Sequence, residues 1–172
     1  ALSEHPGVAG ITFTGSAEVG RALLRHCVSG AVPRPCIAEM GGKNPVIISK
    51  KADLDDAALG VFRSAFGLQG QKCSAASRVF IDKSVKAKFE AKLKALLENA
   101  VIGDPTKRET YLGPVINENA VRDFEGFTGE LKAAGTLLHG GGRLTEGDFA
   151  KGSFCAPTVA TDVPYTHRLW KH

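Results

Sequence analysis

The sequence predicts an α/β fold with a mostly parallel sheet flanked by helices. Two observations carry this. Short apolar runs of strand length alternate with longer stretches of helical periodicity, and glycine, proline or asparagine marks most of the joins. A chain of 172 residues, 43% hydrophobic and 23% charged, is enough for a real core.

The elements follow in order. "GITFTG", ending at Gly15, reads as a buried strand closed by a glycine turn. "SAEVGRALLRHCVSG" follows as a helix, with Ser16 as N-cap and Val19, Leu23, Leu24 and Cys27 at helical spacing. "PCIAEM" and "NPVIIS" are two strands separated by Gly41 and Gly42. "DLDDAALGVFRSAFGL", residues 53–68, is an acid-started amphipathic helix. "GQKCSAAS" is a loop and "RVFID" a strand. Residues 84–100, capped by Ser84, form the clearest helix. "GDPTKRETYLGP" is turn-rich, and residues 117–135 are a further helix. "TLLHGGG" is a strand running into a glycine loop, and "SFCAPTVATDVP" is extended, its prolines suiting an edge or a connection.

Composition excludes several classes. The net charge is +4, from 22 basic and 18 acidic residues mixed along the chain without a basic block. That argues against a nucleic-acid partner. No apolar stretch approaches the roughly 20 residues of a membrane helix. The start lacks the basic and apolar regions of a signal peptide. Cys27, Cys36, Cys73 and Cys155 make no CxxC pair, and no histidine cluster shares metal-ligand spacing with them. No metal is expected, and a reducing compartment fits. His5, His26, His139, His167 and His172 are scattered and read as surface or loop residues.

Three short stretches could carry chemistry. In "TGSAEVG", Gly15 makes the turn, Ser16 starts the helix and Gly20 lies one turn in. Bare helix N–H groups and the helix dipole favour an anion there, and Gly20 allows close approach. The spacing is not GxGxxG, and a glycine turn between strand and helix is common in any α/β protein. In "AEMGGKNP", Glu39 ends a strand just before Gly41. On position alone it reads as a strand-end carboxylate that faces solvent or pairs with Lys43; the other reading is a general base whose pKa an apolar site would raise. In "GQKCSAASR", Cys73 stands among small and polar residues, where a substrate could reach a thiolate. Cys27 and Cys155, with apolar or small neighbours, read as structural thiols.

"FTGSAEVG", "EMGGKNP" and "GQKCSAASR" occur together and in order, and this constellation resembles the aldehyde dehydrogenase superfamily. "LGPVIN" and the stretch from Gly141 to Val159 resemble its catalytic domain. The resemblance implies an aldehyde dehydrogenase catalytic-domain fold, with residues 1–41 the tail of the NAD-binding domain. Residues 42–172 would be a thiol-nucleophile domain incomplete at its C-terminus. It implies Cys73 as nucleophile, through a thiohemiacetal and a thioester, with its backbone N–H in the oxyanion site. Glu39 is then the base that activates water. Gly15, Ser16, Gly20 and Gly41 are then cofactor-binding, for NAD or NADP. Lys43 and Asn44 match family positions and read as scaffolding. Met40 stands where the family usually has leucine, a volume-conserving exchange.

"QKCSAASR" resembles the Δ1-pyrroline-5-carboxylate (glutamate-γ-semialdehyde) dehydrogenase branch. There Ser74, directly after the nucleophile, would hold the substrate's α-carboxylate. The implied function is oxidation of L-glutamate γ-semialdehyde to glutamate in proline degradation. It would belong to a homo-oligomeric parent in the cytoplasm, or the mitochondrial matrix in a eukaryote. "RLWK" resembles the residues just before the family's later cofactor-ribose glutamate, so the chain is expected to be a piece of such an enzyme. Alone it is expected to be inactive, and to associate or be marginally stable through apolar surface that the rest would cover. Two other readings stand beside this one: a broader-specificity aldehyde dehydrogenase, and a non-catalytic truncated module.

Overall fold

The computed structural model describes residues 2–171. The chain divides into two compact units, Ala1–Gly42 and Lys43–His172.

The first unit holds strand β1 (Ile11–Gly15), helix α1 (Ala17–Val28) and strand β2 (Cys36–Met40). β1 and β2 pair in parallel, Thr14 beside Glu39 and Gly15 beside Met40. A parallel pair needs a crossover, and α1 supplies it. Ser16 caps α1 as expected, its Oγ accepting from Val19 N at 3.3 Å. The buried stripe of α1 consists of Gly20 and Cys27. A Cβ on Gly20 would sit 2.7 Å from Met40 Sδ, so the glycine lets α1 lie directly on β2. Arg34 braces the opposite end, donating to Val8 O at 3.2 Å and Ser3 O at 2.8 Å.

In the second unit, strand β3 (Asn44–Ile48) pairs in parallel with strand β4 (Ala76–Ile81), and helix α2 (Leu54–Phe66) crosses between them. Asp53 caps α2, accepting from Asp55 N at 2.9 Å and Asp56 N at 3.1 Å. Helix α3 (Lys86–Glu98) packs on α2. The core is Ile48, Ala58, Val61, Phe62, Phe89, Leu93 and Leu97, the apolar stripes of α2 and α3 closing on one face of β3. The other face of the pair leaves Ile47 80% exposed.

Helix α4 (Glu118–Ala134) is capped by Asn117, whose Oδ1 accepts from Ala120 N at 3.0 Å. Strand β5 (Thr136–His139), strand β6 (Arg143–Leu144), strand β7 (Phe154–Cys155) and strand β8 (Val159–Thr161) complete the unit. β5 pairs with β8 and β6 with β7, both antiparallel. So the parallel pairs fall in the first half of the chain, where helices follow strands. The antiparallel pairs fall in the second half, where β6 and β7 lie between β5 and β8 in the chain. Gly140 sits at φ +74°, and a Cβ there would lie 2.2 Å from Pro157 O.

Three local expectations differ from the structure. The second helix stops at Phe66, because Leu68 and Gln69 are left-handed, at φ 53° and 56°. β4 begins at Ala76, two residues early. Ser84 does not cap α3: its Oγ donates instead to Asp82 Oδ1 at 2.6 Å and its N–H to the same oxygen at 2.9 Å. This local bond competes with capping, and Val85 takes the N-cap position without a side-chain bond.

Several carboxylates sit below their usual range. Glu118 is lowered by the Ser153 hydroxyl first and by Arg143 next, and Glu130 by Arg168. A depressed folded-state pKa contributes stability that is present above the unfolded value and lost as pH falls through the folded one. The melting temperature should therefore fall on acidification below about pH 4.3, the ordinary glutamate value. Glu118→Gln should flatten that slope in a series of melts. An unchanged slope would remove Glu118 from the account.

Candidate active site

Cys73 is an exposed thiol on the loop between α2 and β4. Strained backbone delivers the chain to it. Leu68, Gln69 and Gly70 are three successive residues with positive φ, and Gly70 lies at φ +69°. A Cβ on Gly70 would stand 2.8 Å from Ala65 O, which is backbone and cannot yield cheaply. Such strain costs of order 1–3 kcal/mol per residue and persists only where the surroundings enforce it.

Side chains from distant positions hold the stretch that follows. Asn44 Nδ2 donates to Cys73 O at 2.7 Å and to Ala75 O at 3.3 Å. Gln71 Oε1 accepts from Ile116 N at 3.0 Å. Arg78 donates to Trp170 O at 3.1 Å and also to Lys43 O. Asn44 is thus more than general scaffolding: it fixes the peptide plane that follows the nucleophile candidate. No local pattern marks this, because its partner lies far along the chain. Gly70→Ala should destabilise the second unit by roughly 2 kcal/mol or more. Thermal melts check it, and an unchanged melting temperature would contradict it.

Lys72 and Ser74 flank Cys73 in sequence, and both line a small cavity of about 130 Å³ together with Arg63, Ser64, Gly67 and Leu68. Two cations and hydroxyl groups suit an anion such as a carboxylate. A larger groove of about 410 Å³ between α2 and α3, lined by Asp55, Lys92 and Asn99 among others, contains none of the predicted site residues. Lys43, half-buried, is held below the usual ammonium range by desolvation and then by the positive Arg78.

The first unit gathers the other predicted residues. Gly15 ends β1, Ser16 caps α1, and Glu39 lies beside Thr14 on β2. Along β2 the exposure alternates: Cys36, Ala38 and Met40 are half-buried, and Ile37 and Glu39 are exposed. The start of α1 fits an anionic cofactor group. The residues of its first turn are exposed, and Ser16 Oγ accepts from Val19 N within the cap while its proton remains to donate. Glu18 in the first turn supports the helix dipole but adds a like charge beside any anion. A Cβ on Gly15 would meet the Phe13 ring at 2.5 Å and have to displace it, whereas one on Gly41 would meet nothing within 4 Å.

Among the described residues no group of three or more His, Cys, Asp or Glu side chains could hold a metal ion, and no helix is long and apolar enough to cross a membrane. His172 lies outside the described residues.

Comparisons with known proteins agree with the motif order. A family model described as the aldehyde dehydrogenase family matches residues 1–172. A 1-pyrroline-5-carboxylate dehydrogenase 1 of Halalkalibacterium halodurans is 43% identical over 169 residues, covering 94% of this chain and 32% of the relative. A 1-pyrroline-5-carboxylate dehydrogenase of Geobacillus kaustophilus is 39% identical over 172 residues, covering 98% and 33%. The chain therefore spans about a third of the length of these relatives. Among solved structures, the 1-pyrroline-5-carboxylate dehydrogenase from Thermus with bound NAD superimposes with a TM-score of 0.89 at 36% identity, over 99% of this chain and 33% of that one. Betaine aldehyde dehydrogenase from Staphylococcus aureus, in complex with NAD+, gives 0.93 at 31% identity, over 99% and 34%.

Proposed function

This chain belongs to the aldehyde dehydrogenase family, and on that premise we propose that the whole protein oxidises L-glutamate γ-semialdehyde, the open form of Δ1-pyrroline-5-carboxylate, to glutamate. The observation that carries the substrate class is local. An exposed thiol lies between two residues, Lys72 and Ser74, that line a cavity also holding Arg63. The dehydrogenases of this name at 39% and 43% identity support the same reading.

In this reading Cys73 Sγ attacks the aldehyde carbon and holds it as a thiohemiacetal. The Cys73 backbone N–H donates to the developing oxyanion; one such donor is typically worth about 3 kcal/mol. A nicotinamide cofactor held along Gly15, Ser16 and Gly41 would supply the hydride acceptor, while Gly20, read from the sequence as a further cofactor residue, is buried and seats α1 on β2. Cys73 then carries the thioester, and Glu39 takes the proton of the water that hydrolyses it. Ser74, with Lys72 and Arg63, holds the carboxylate tail. Asn44 keeps the loop from rotating. The reading includes a cytoplasmic, homo-oligomeric enzyme acting in proline degradation.

Ser74 gives the test. Ser74→Ala in the whole protein should lower kcat/KM for glutamate semialdehyde by about 10- to 100-fold, the loss of one hydrogen bond to a charged group. It should leave an uncharged aldehyde of similar length within a few-fold. A broader-specificity aldehyde dehydrogenase is the second reading. It predicts equal effects on both aldehydes.

A further inference from the structure

The contact between α1 and β2 places two cysteines on facing surfaces. Gly20 and Cys27 form the buried stripe of α1. They are seven residues apart, hence nearly on one face and about 10 Å along the axis. Met40 and Cys36 lie on the same half-buried side of β2, four residues and about 13 Å apart. Gly20 meets Met40. Because α1 returns antiparallel to β2, the far ends of the two spans meet as well, and that is Cys27 against Cys36. Arg34 N donates to Cys27 O at 2.9 Å, drawing the turn before Cys36 onto the end of the helix. Cys27 is 1% exposed and Cys36 half-buried.

We propose that Cys27 and Cys36 are an oxidisable dithiol, a modification site that closes to a disulfide under hydroperoxide. Cys36 is the more accessible. Its thiolate displaces hydroxide from the peroxide O–O bond and becomes a sulfenic acid. The Cys27 thiolate then attacks the Cys36 sulfur, the S–O bond breaks, and the S–S bond forms as hydroxide leaves. Two thiol protons neutralise the two hydroxides, so two thiols and one hydrogen peroxide give one disulfide and two waters. The Cys36 thiol is raised by burial first and then by the hydrogen bond with Cys27, which places the two sulfur atoms side by side. The disulfide would fasten α1 to β2, the elements that carry Ser16, Gly20 and Glu39. The inference needs only the packing of these two elements and is independent of the substrate assigned above.

The test is peptide mapping of the full chain in its Cys73→Ser form, which removes the exposed thiol. The folded protein is treated with hydrogen peroxide, its remaining thiols are alkylated, and it is digested without reductant. The expected product is a peptide cross-linked between Cys27 and Cys36, lost on adding dithiothreitol. It should be accompanied by slower amide exchange over residues 17–28. In Cys27→Ala, where no disulfide can form, dimedone should label Cys36 instead. Both thiols remaining alkylatable after peroxide, or Cys36 passing to the sulfinic acid with Cys27 intact beside it, would overturn the proposal.

Discussion

Replacing Cys73 by alanine in the whole protein is expected to abolish aldehyde-dependent NADH formation, by roughly 10⁴-fold or more, the scale on which nucleophile deletions act. The alanine should leave folding intact. The Cys73 side chain is exposed, and the loop is held through backbone contacts that alanine preserves, the Asn44 bond to Cys73 O among them. Unchanged melting with lost turnover is therefore the expected pair of results. Turnover within ten-fold of the parent would exclude covalent catalysis by this thiol.

Glu39→Gln should produce the second-largest effect, about 10²- to 10⁴-fold on steady-state turnover, the usual range for a positioned base. The loss should be uneven across the cycle. Thiol attack does not need Glu39 in this reading, so a first burst of NADH should survive while the following hydrolysis slows. Rapid mixing of enzyme, NAD+ and aldehyde separates the two phases. If burst and steady state fell together, the base role would pass to another group and Glu39 would act earlier in the cycle. Glu39 is exposed on β2, on the same side as Ile37.

The sequence made the α/β class legible wherever the signal was local. Ser16 is legible as a cap because a short polar side chain at a helix start meets its own backbone N–H a turn later, and Asp53 and Asn117 cap their helices by the same bond. The three motifs were legible for the same reason, each being a contiguous run. What escaped depended on partners remote in the chain or on competition. Ser84 looked like a cap, but Asp82 was nearer to its hydroxyl and amide. The left-handed run Leu68–Gly70 follows no residue preference at its first position, since leucine there is strained. The antiparallel pairs β5–β8 and β6–β7 join segments too short to announce a register. Asn44 read as scaffolding because nothing near "GGKNP" names Cys73 O as its partner. The Arg63 side of the Ser74 cavity was hidden for the same reason, α2 carrying it there from eleven residues upstream.

The central claim is that Cys73 becomes covalently acylated by the substrate. The most direct measurement is mass spectrometry of the Glu39→Gln whole protein, quenched in acid after mixing with NAD+ and glutamate semialdehyde. The account predicts a glutamyl thioester on the peptide that contains Cys73, absent without NAD+ and released by hydroxylamine. NADH formed with that peptide left unmodified would contradict it.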